Sequence, residues 1–124
     1  MIAKLLKAGF NAHGVRRDAP YDVGVDLGNG RHCRIEVKGC MQARHGRFYF
    51  RFVRGNPRTG TGTYPYSDND FDITALVALP HERALFVAGV PKRSIRLTTA
   101  DFLRPGAELQ SWIHALNVFN HKQH

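Results

Sequence analysis

Residues 20–39 read PYDVGVDLGNGRHCRIEVKG. Two apolar-alternating runs flank a Gly-Asn-Gly, an aspartate heads the first, and a Glu-x-Lys lies near the end of the second. A chain with 10 acidic residues against 18 Lys and Arg thus gathers Asp22, Asp26, Glu36 and Lys38 in one short stretch. Two carboxylates and an ammonium brought together suit metal-dependent phosphodiester hydrolysis. Hard oxygens hold a divalent cation, and the lysine orients a water or meets charge developing on a phosphate. The plain alternative is a solvated strand face on which acid and lysine merely alternate.

Whether these groups meet depends on the hairpin register. Val23, Val25 and Leu27 are the apolar set of the first strand, and Cys33, Ile35 and Val37 that of the second; cross-strand partners share a face. A two-residue Asn29-Gly30 turn sets Val25 against Arg34 and Asp22 against Val37, mixing the faces. A three-residue Gly28-Asn29-Gly30 loop sets Val23 against Ile35, Val25 against Cys33 and Asp22 against Glu36. A one-residue slip sends every apolar group to the wrong side, so the three-residue loop is the expected one. Asp22, Glu36 and Lys38 then leave one face, the two acids with Cβ atoms about 5 Å apart. Facing carboxylates repel unless positive charge sits between them. Lys38 supplies part of that charge, and a divalent cation would supply more. The oxygen donors suit Mg²⁺, with Mn²⁺ able to substitute and the Val37 carbonyl as a third ligand.

The elements that must hold this hairpin are legible around it. Ile2, Leu5 and Leu6 have helical spacing, and Gly9 ends that helix. NAHGVRRDAPY leads in as a short strand and a turn. FYFRFVR is a strand with Phe48, Phe50 and Phe52 on one face and Tyr49, Arg51 and Val53 on the other. GNPRTGTGTYPYSDND reads as a long loop of the functional kind. FDITALVAL and ALFVAGV are strands joined by PHER, and the run Leu76-Val77-Ala78-Leu79 predicts burial on both faces. TTADFL is a capped helical turn, with Thr98 as cap and Asp101 three positions on, stopped by Pro105-Gly106. A final helix spans 107–120, its stripe of Leu109, Trp112, Ile113, Leu116 and Phe119 packing in the core or, alternatively, against a second copy. The order predicts an α/β or α+β domain around a mixed sheet.

Bulk properties narrow the partners. A chain of 124 residues is expected to form a single domain, 1–124, with one hydrophobic core. Apolar content of 43% fits a globular chain, and a net charge of +8 favours polyanions, nucleic acid ahead of anionic membrane. No apolar stretch approaches the ~20 residues of a membrane span. MIAKLLKAGF is too short and too lysine-interrupted for a secretory signal. Cys33 and Cys40 form no C-x-x-C pair and read as reduced thiols of an intracellular, cytoplasmic protein.

Other constellations sort quickly. Arg44, Arg47, Arg51, Arg54 and Arg58 are interleaved with aromatics, and Arg16 and Arg17 stand just before Asp22. Such a track holds nucleic-acid phosphates without reading sequence, the alternative being a solubilising basic surface. His114, His121 and His124 lack a full zinc ligand set. Ser67, Ser94 and Ser111 lack a G-x-S-x-G context, and no phosphate-binding loop occurs, so no small-molecule cofactor is expected.

Pro20-Tyr21-Asp22, the hairpin and Glu36-Val37-Lys38 resemble the core of PD-(D/E)XK nucleases. With FYFRFVR and DFDITALVALPHERALFVAGVP, the order and spacing are similar to the group I intron-associated homing endonucleases over residues 9–97, and more distantly to archaeal-type Holliday junction resolvases. The resemblance implies a restriction-endonuclease-like mixed sheet flanked by helices, and Mg²⁺-dependent cleavage of duplex or branched DNA by a homo-oligomer in a prokaryotic or phage-infected cell. It makes Asp22 and Glu36 metal ligands and Lys38 the catalytic lysine. Gln42 becomes a polar auxiliary or an exposed loop residue, and Asp72 a structural acid. Many members carry a glutamate on a longer first helix, whereas here no acid precedes Asp18. Water, Asp18 or Asp26 would stand in, which leaves the metal count open. An inactive DNA-binding module, or a subunit of a larger DNA-processing complex, is the rival reading.

Overall fold

This computed structural model describes residues 1–15, 21–56 and 62–122, with backbone alone at 54–56 and 62–65. The hairpin is formed by β2 (Val23–Gly28) and β3 (Arg31–Cys40). Its register is the expected one, Val23 against Ile35 and Val25 against Cys33, but the turn differs. Asn29 (φ 54°) and Gly30 (φ 75°) make a two-residue turn with both residues left-handed, as a hairpin of this twist requires. The ladder then shifts between Asp26 and Gly28, so a bulge absorbs the extra residue and the faces stay sorted.

With β1 (Asn11–Gly14), β7 (Ile73–Ala78) and β8 (Arg83–Ala88), the hairpin builds a five-stranded sheet of order β1-β2-β3-β7-β8. β3 and β7 run parallel and the other neighbours antiparallel. β7 is buried on both faces, as its continuous apolar run predicts, but Leu79 leaves the strand into a 3-10 turn and is exposed. One face of the sheet, carrying Val25, Cys33, Ile35, Ile73 and Phe86, packs on α1 (Ile2–Lys7) and α3 (Ala107–Lys122). Burial pushes the Cys33 thiol up to about 12, so it acts there as a small apolar side chain.

The opposite face carries Leu76 and Ala78 and is covered by Phe48, Phe50, Phe52 and Phe102. The three phenylalanines of FYFRFVR do alternate inward, yet the segment is not one strand. β4 (Arg47–Phe50) pairs antiparallel with β9 (Ile95–Thr98) as a separate ribbon, and β5 (Val53–Asn56) pairs with β6 (Gly62–Pro65). Part of the expected long loop is therefore a strand pair. β9 leads into α2 (Thr99–Leu103), where Thr98 Oγ1 accepts from Asp101 N (3.2 Å) and Asp101 Oδ2 accepts from Thr98 N (2.8 Å), the expected capping box.

The helix α3 departs from its predicted stripe. Trp112, Ala115, Leu116 and Phe119 are buried, whereas Leu109 and Ile113 are 52% and 48% exposed. The reason lies at β8, an edge strand with outward N–H groups. Glu108 Oε1 accepts from Ala84 N (2.8 Å) and Ser111 Oγ from Phe86 N (3.0 Å). Turning these two polar side chains toward β8 protects the edge and rolls Leu109 and Ile113 outward. Among the described residues no helix is long and apolar enough to cross a membrane.

Candidate active site

Asp22 stands just before β2, where the ladder to β3 is still held by one backbone bond, Asp22 N to Ile35 O (2.9 Å). Its side chain then folds across, and Oδ2 accepts from Val37 N (2.9 Å). In a strand the N–H and C=O of one residue leave the same edge, so the Val37 carbonyl faces the side on which Asp22 sits. Glu36, the residue between, points from the face opposite Ile35 and is 8% exposed. Burial first, then a hydrogen bond to Asp22 and the negative charge of Asp22, push the Glu36 carboxyl up to about 7. The Tyr66 hydroxyl and the Lys38 ammonium work in the opposite direction. The two acids are thus immediate neighbours, and the site holds more negative charge than its own cations balance.

Lys38 lies on the same face, one pleat further along β3. Its Nζ donates to Tyr66 Oη (2.8 Å) and sits 4.8 Å from the centroid of that ring. Tyr66 in turn packs edge-on against Phe71 at 5.1 Å and bonds the Glu36 carboxyl. Lys38, Tyr66, Glu36 and Asp22 therefore form one connected polar chain. Tyr66 was not anticipated; its contact to Lys38 spans 28 positions, and nothing in the local TYPYSD sequence signals it.

The register that places Glu36 is set by Asp72. Its Oδ2 accepts from Arg34 N (2.8 Å) and Nε (3.2 Å), and its Oδ1 from Arg34 Nη2 (3.2 Å). Asp72 N donates to Arg34 O (2.8 Å) and Asp72 O accepts from Gly89 N (2.7 Å). One residue thus ties β3 to β7 and β7 to β8 two residues before Glu36. Asp72→Ala is expected to cost about 2 kcal/mol, for a partly buried pair whose arginine loses its carboxylate and keeps only Asn69 O. A urea midpoint unchanged from wild type would remove this role.

Several candidates lie elsewhere. Asp26 is four residues along, about 13 Å of strand from Asp22, and pairs with His32 Nδ1 (3.2 Å). It is not brought to Glu36. His32 and His13 lean together over Gly24 with ring centroids 5.4 Å apart, and a Cβ at Gly24 would lie 2.6 Å from His13 Nε2. Gln42, Arg44 and Arg47 line a cavity beyond the end of β3, and Arg51 is exposed on the β4–β5 connection. Arg16, Arg17, Asp18 and Arg58, and the side chain of Arg54, lie outside the described residues.

The donors that Asp22, Glu36 and Val37 offer are hard oxygens. Among the described residues no group of three or more His, Cys, Asp or Glu converges. Two neighbouring carboxyls with an edge carbonyl fit Mg²⁺, which takes one or two carboxylates and keeps several waters. Burial and the neighbouring Asp22 raise the Glu36 carboxyl, and positive charge placed beside the pair would lower it again.

The architecture is a mixed α+β fold, a five-stranded mixed sheet flanked by helices. It is similar to the structure of a bacterial homing endonuclease, I-Ssp6803I, with a TM-score of 0.64 and 19% identity over 98% of this chain and 89% of that one. At that identity the likeness is one of fold. No protein-family model matches the sequence, and no curated protein is detectably similar to it.

Proposed function

We propose that this protein is a divalent-cation-dependent DNA endonuclease. The observation that carries the reading is the Asp22–Glu36 carboxyl pair with Lys38 alongside, at the central strand of a sheet whose fold is similar to that of a homing endonuclease. The net charge of +8 supports a phosphate polymer as substrate.

Asp22, Glu36 and the Val37 carbonyl would hold Mg²⁺, which supplies Lewis acidity and a more acidic bound water. This chain's own groups do the rest. Lys38, held by Tyr66, donates toward the attacking water or the phosphoryl oxygens as charge builds on them. Water adds to phosphorus, the P–O bond to the leaving sugar oxygen breaks, and that oxygen takes up a proton. The products are a phosphate monoester and a free hydroxyl. Cutting both strands takes two such sites, so the protein acts as a symmetric homo-oligomer.

The test is cleavage of linear duplex, supercoiled plasmid and four-way junction DNA with Mg²⁺, with Mn²⁺ and with EDTA. Cutting should require the metal and fall about 100-fold in Lys38→Ala. Preference for duplex over junction would favour a homing-type enzyme, and the reverse a resolvase. Salt-sensitive binding with no cutting by the wild-type protein would overturn the nuclease reading in favour of a DNA-binding module.

A further inference from the structure

Two residues beyond Lys38, on the same face of β3, Cys40 opens onto a cavity of about 540 Å³. The pleat puts its mouth about 7 Å along the strand from Lys38. Gln42, Arg44, Arg47, Tyr49 and Arg96 line it with Cys40. Its arginines are not a loose surface cluster. Arg44 and Arg47 exchange both backbone bonds (2.8 and 3.0 Å) across a tight turn whose His45 (φ 52°) and Gly46 (φ 77°) are both left-handed. That places the two arginines directly opposite each other, an arrangement that repels unless an anion sits between them. Arg96 comes from β9, paired across from Tyr49, with its guanidinium 5.4 Å from that ring. Tyr49 Oη is itself fixed to Ser94 Oγ at 2.8 Å.

The placement of the acids sharpens the point. Lys4, Arg34 and Lys92 each have a carboxylate partner, in Glu108, Asp72 and Asp68. Among the described residues Arg44, Arg47 and Arg96 have none, as Arg51, Arg83 and Arg93 have none, and the three converge on the cavity that Cys40 opens onto. The space exceeds that of a lone anion and suits a phosphate carried on a sugar.

We propose that this cavity is a phosphate subsite that takes the phosphodiester next to the scissile one, on the strand being cut. The proposal rests on the nuclease reading and extends it to Arg96, with Tyr49 as the residue that positions Arg96. Arg44 and Arg47 grip the phosphate from one wall and Arg96 from the other. The strand is thereby held in register with Lys38.

The experiment is single-turnover cleavage of duplexes carrying one uncharged methylphosphonate at each phosphate in turn, with wild-type protein, Arg47→Ala and Arg96→Ala. In the wild type, the neutral linkage beside the cut should slow cleavage about 10- to 100-fold, the range for one charge-assisted contact. In either variant the natural duplex should be slowed by a similar factor, and the same neutral linkage should add little further loss. Penalties at distant phosphates should be unchanged. A full penalty beside the cut in both variants would overturn the subsite while leaving the nuclease reading intact. A wild-type protein that cuts no DNA would remove both together. Arg47 and Arg96 are exposed, so far-ultraviolet circular dichroism and melting should match wild type and exclude misfolding as the cause.

Discussion

Glu36→Gln is expected to lower cleavage by about 1,000-fold or more and, in the absence of metal, to make the protein more stable at pH 8. The first effect follows from loss of a hard anionic ligand and of the charge that would hold the cation against the phosphate. The second follows from burial. Glu36 is 8% exposed, neighbours Asp22, and has its carboxyl raised to about 7 from an ordinary value of 4.5. A raised acid binds its proton more tightly in the folded than in the unfolded chain. Between about pH 4.5 and 7 the native state therefore holds the extra proton, and stability falls as pH rises through that window. The full shift corresponds to roughly 3 kcal/mol lost by pH 8 relative to pH 4. Glutamine keeps the shape without the charge, so the variant should lack this part of the pH slope.

Urea unfolding at pH 5 and pH 8, in EDTA, measures it as the difference between wild type and variant. Equal slopes in the two proteins would mean that Glu36 is not the strained group. Mg²⁺ provides a second readout independent of catalysis. A cation that binds only the native carboxyl pair raises the wild-type melting temperature at pH 8 in proportion to its affinity, and the variant should respond far less. A ligand site that destabilises its own metal-free fold is the usual relation between function and stability.

The hairpin shows how much of this was readable in advance. The apolar sets of β2 and β3 admit one register, and that register alone puts Asp22 beside Glu36. The turn was misassigned because a bulge between Asp26 and Gly28 achieves the same sorting with two turn residues. Pattern constrains faces, whereas turn length and bulge can trade against each other. The parallel β3–β7 pairing left a trace too, in the unbroken apolar run of β7. Non-local polar contacts left none. Tyr66 meets Lys38 across a long separation in which its own neighbours are unremarkable, and the structural role of Asp72, which fixes Arg34, came from the family resemblance and not from local pattern. The β4–β9 ribbon was hidden likewise: alternation in FYFRFVR names an inward face but not a partner strand.

Trp112→Ala should cost about 3–5 kcal/mol, comparable with the whole stability of a small domain, and leave much of the chain unfolded near physiological temperature. Trp112 is buried between Phe10 (ring centroids 5.2 Å) and Phe86 (5.0 Å), where α3 meets the sheet and the chain following α1. Its Nε1 is buried with no hydrogen-bond partner among the described residues, so the ring contributes through packing against a polar penalty. Trp112→Phe removes that penalty along with some volume and should cost less than about 1.5 kcal/mol. The stripe read from sequence gives Leu109 and Ile113 the same standing as Trp112. The edge of β8 decides otherwise, because Glu108 and Ser111 must face Ala84 and Phe86 to satisfy their N–H groups. Leu109→Ala and Ile113→Ala should therefore each cost under about 1 kcal/mol in urea unfolding. Losses at Leu109 and Ile113 matching that of Trp112→Ala would show that α3 lies with its sequence stripe inward, and that the protected edge is not what sets its rotation.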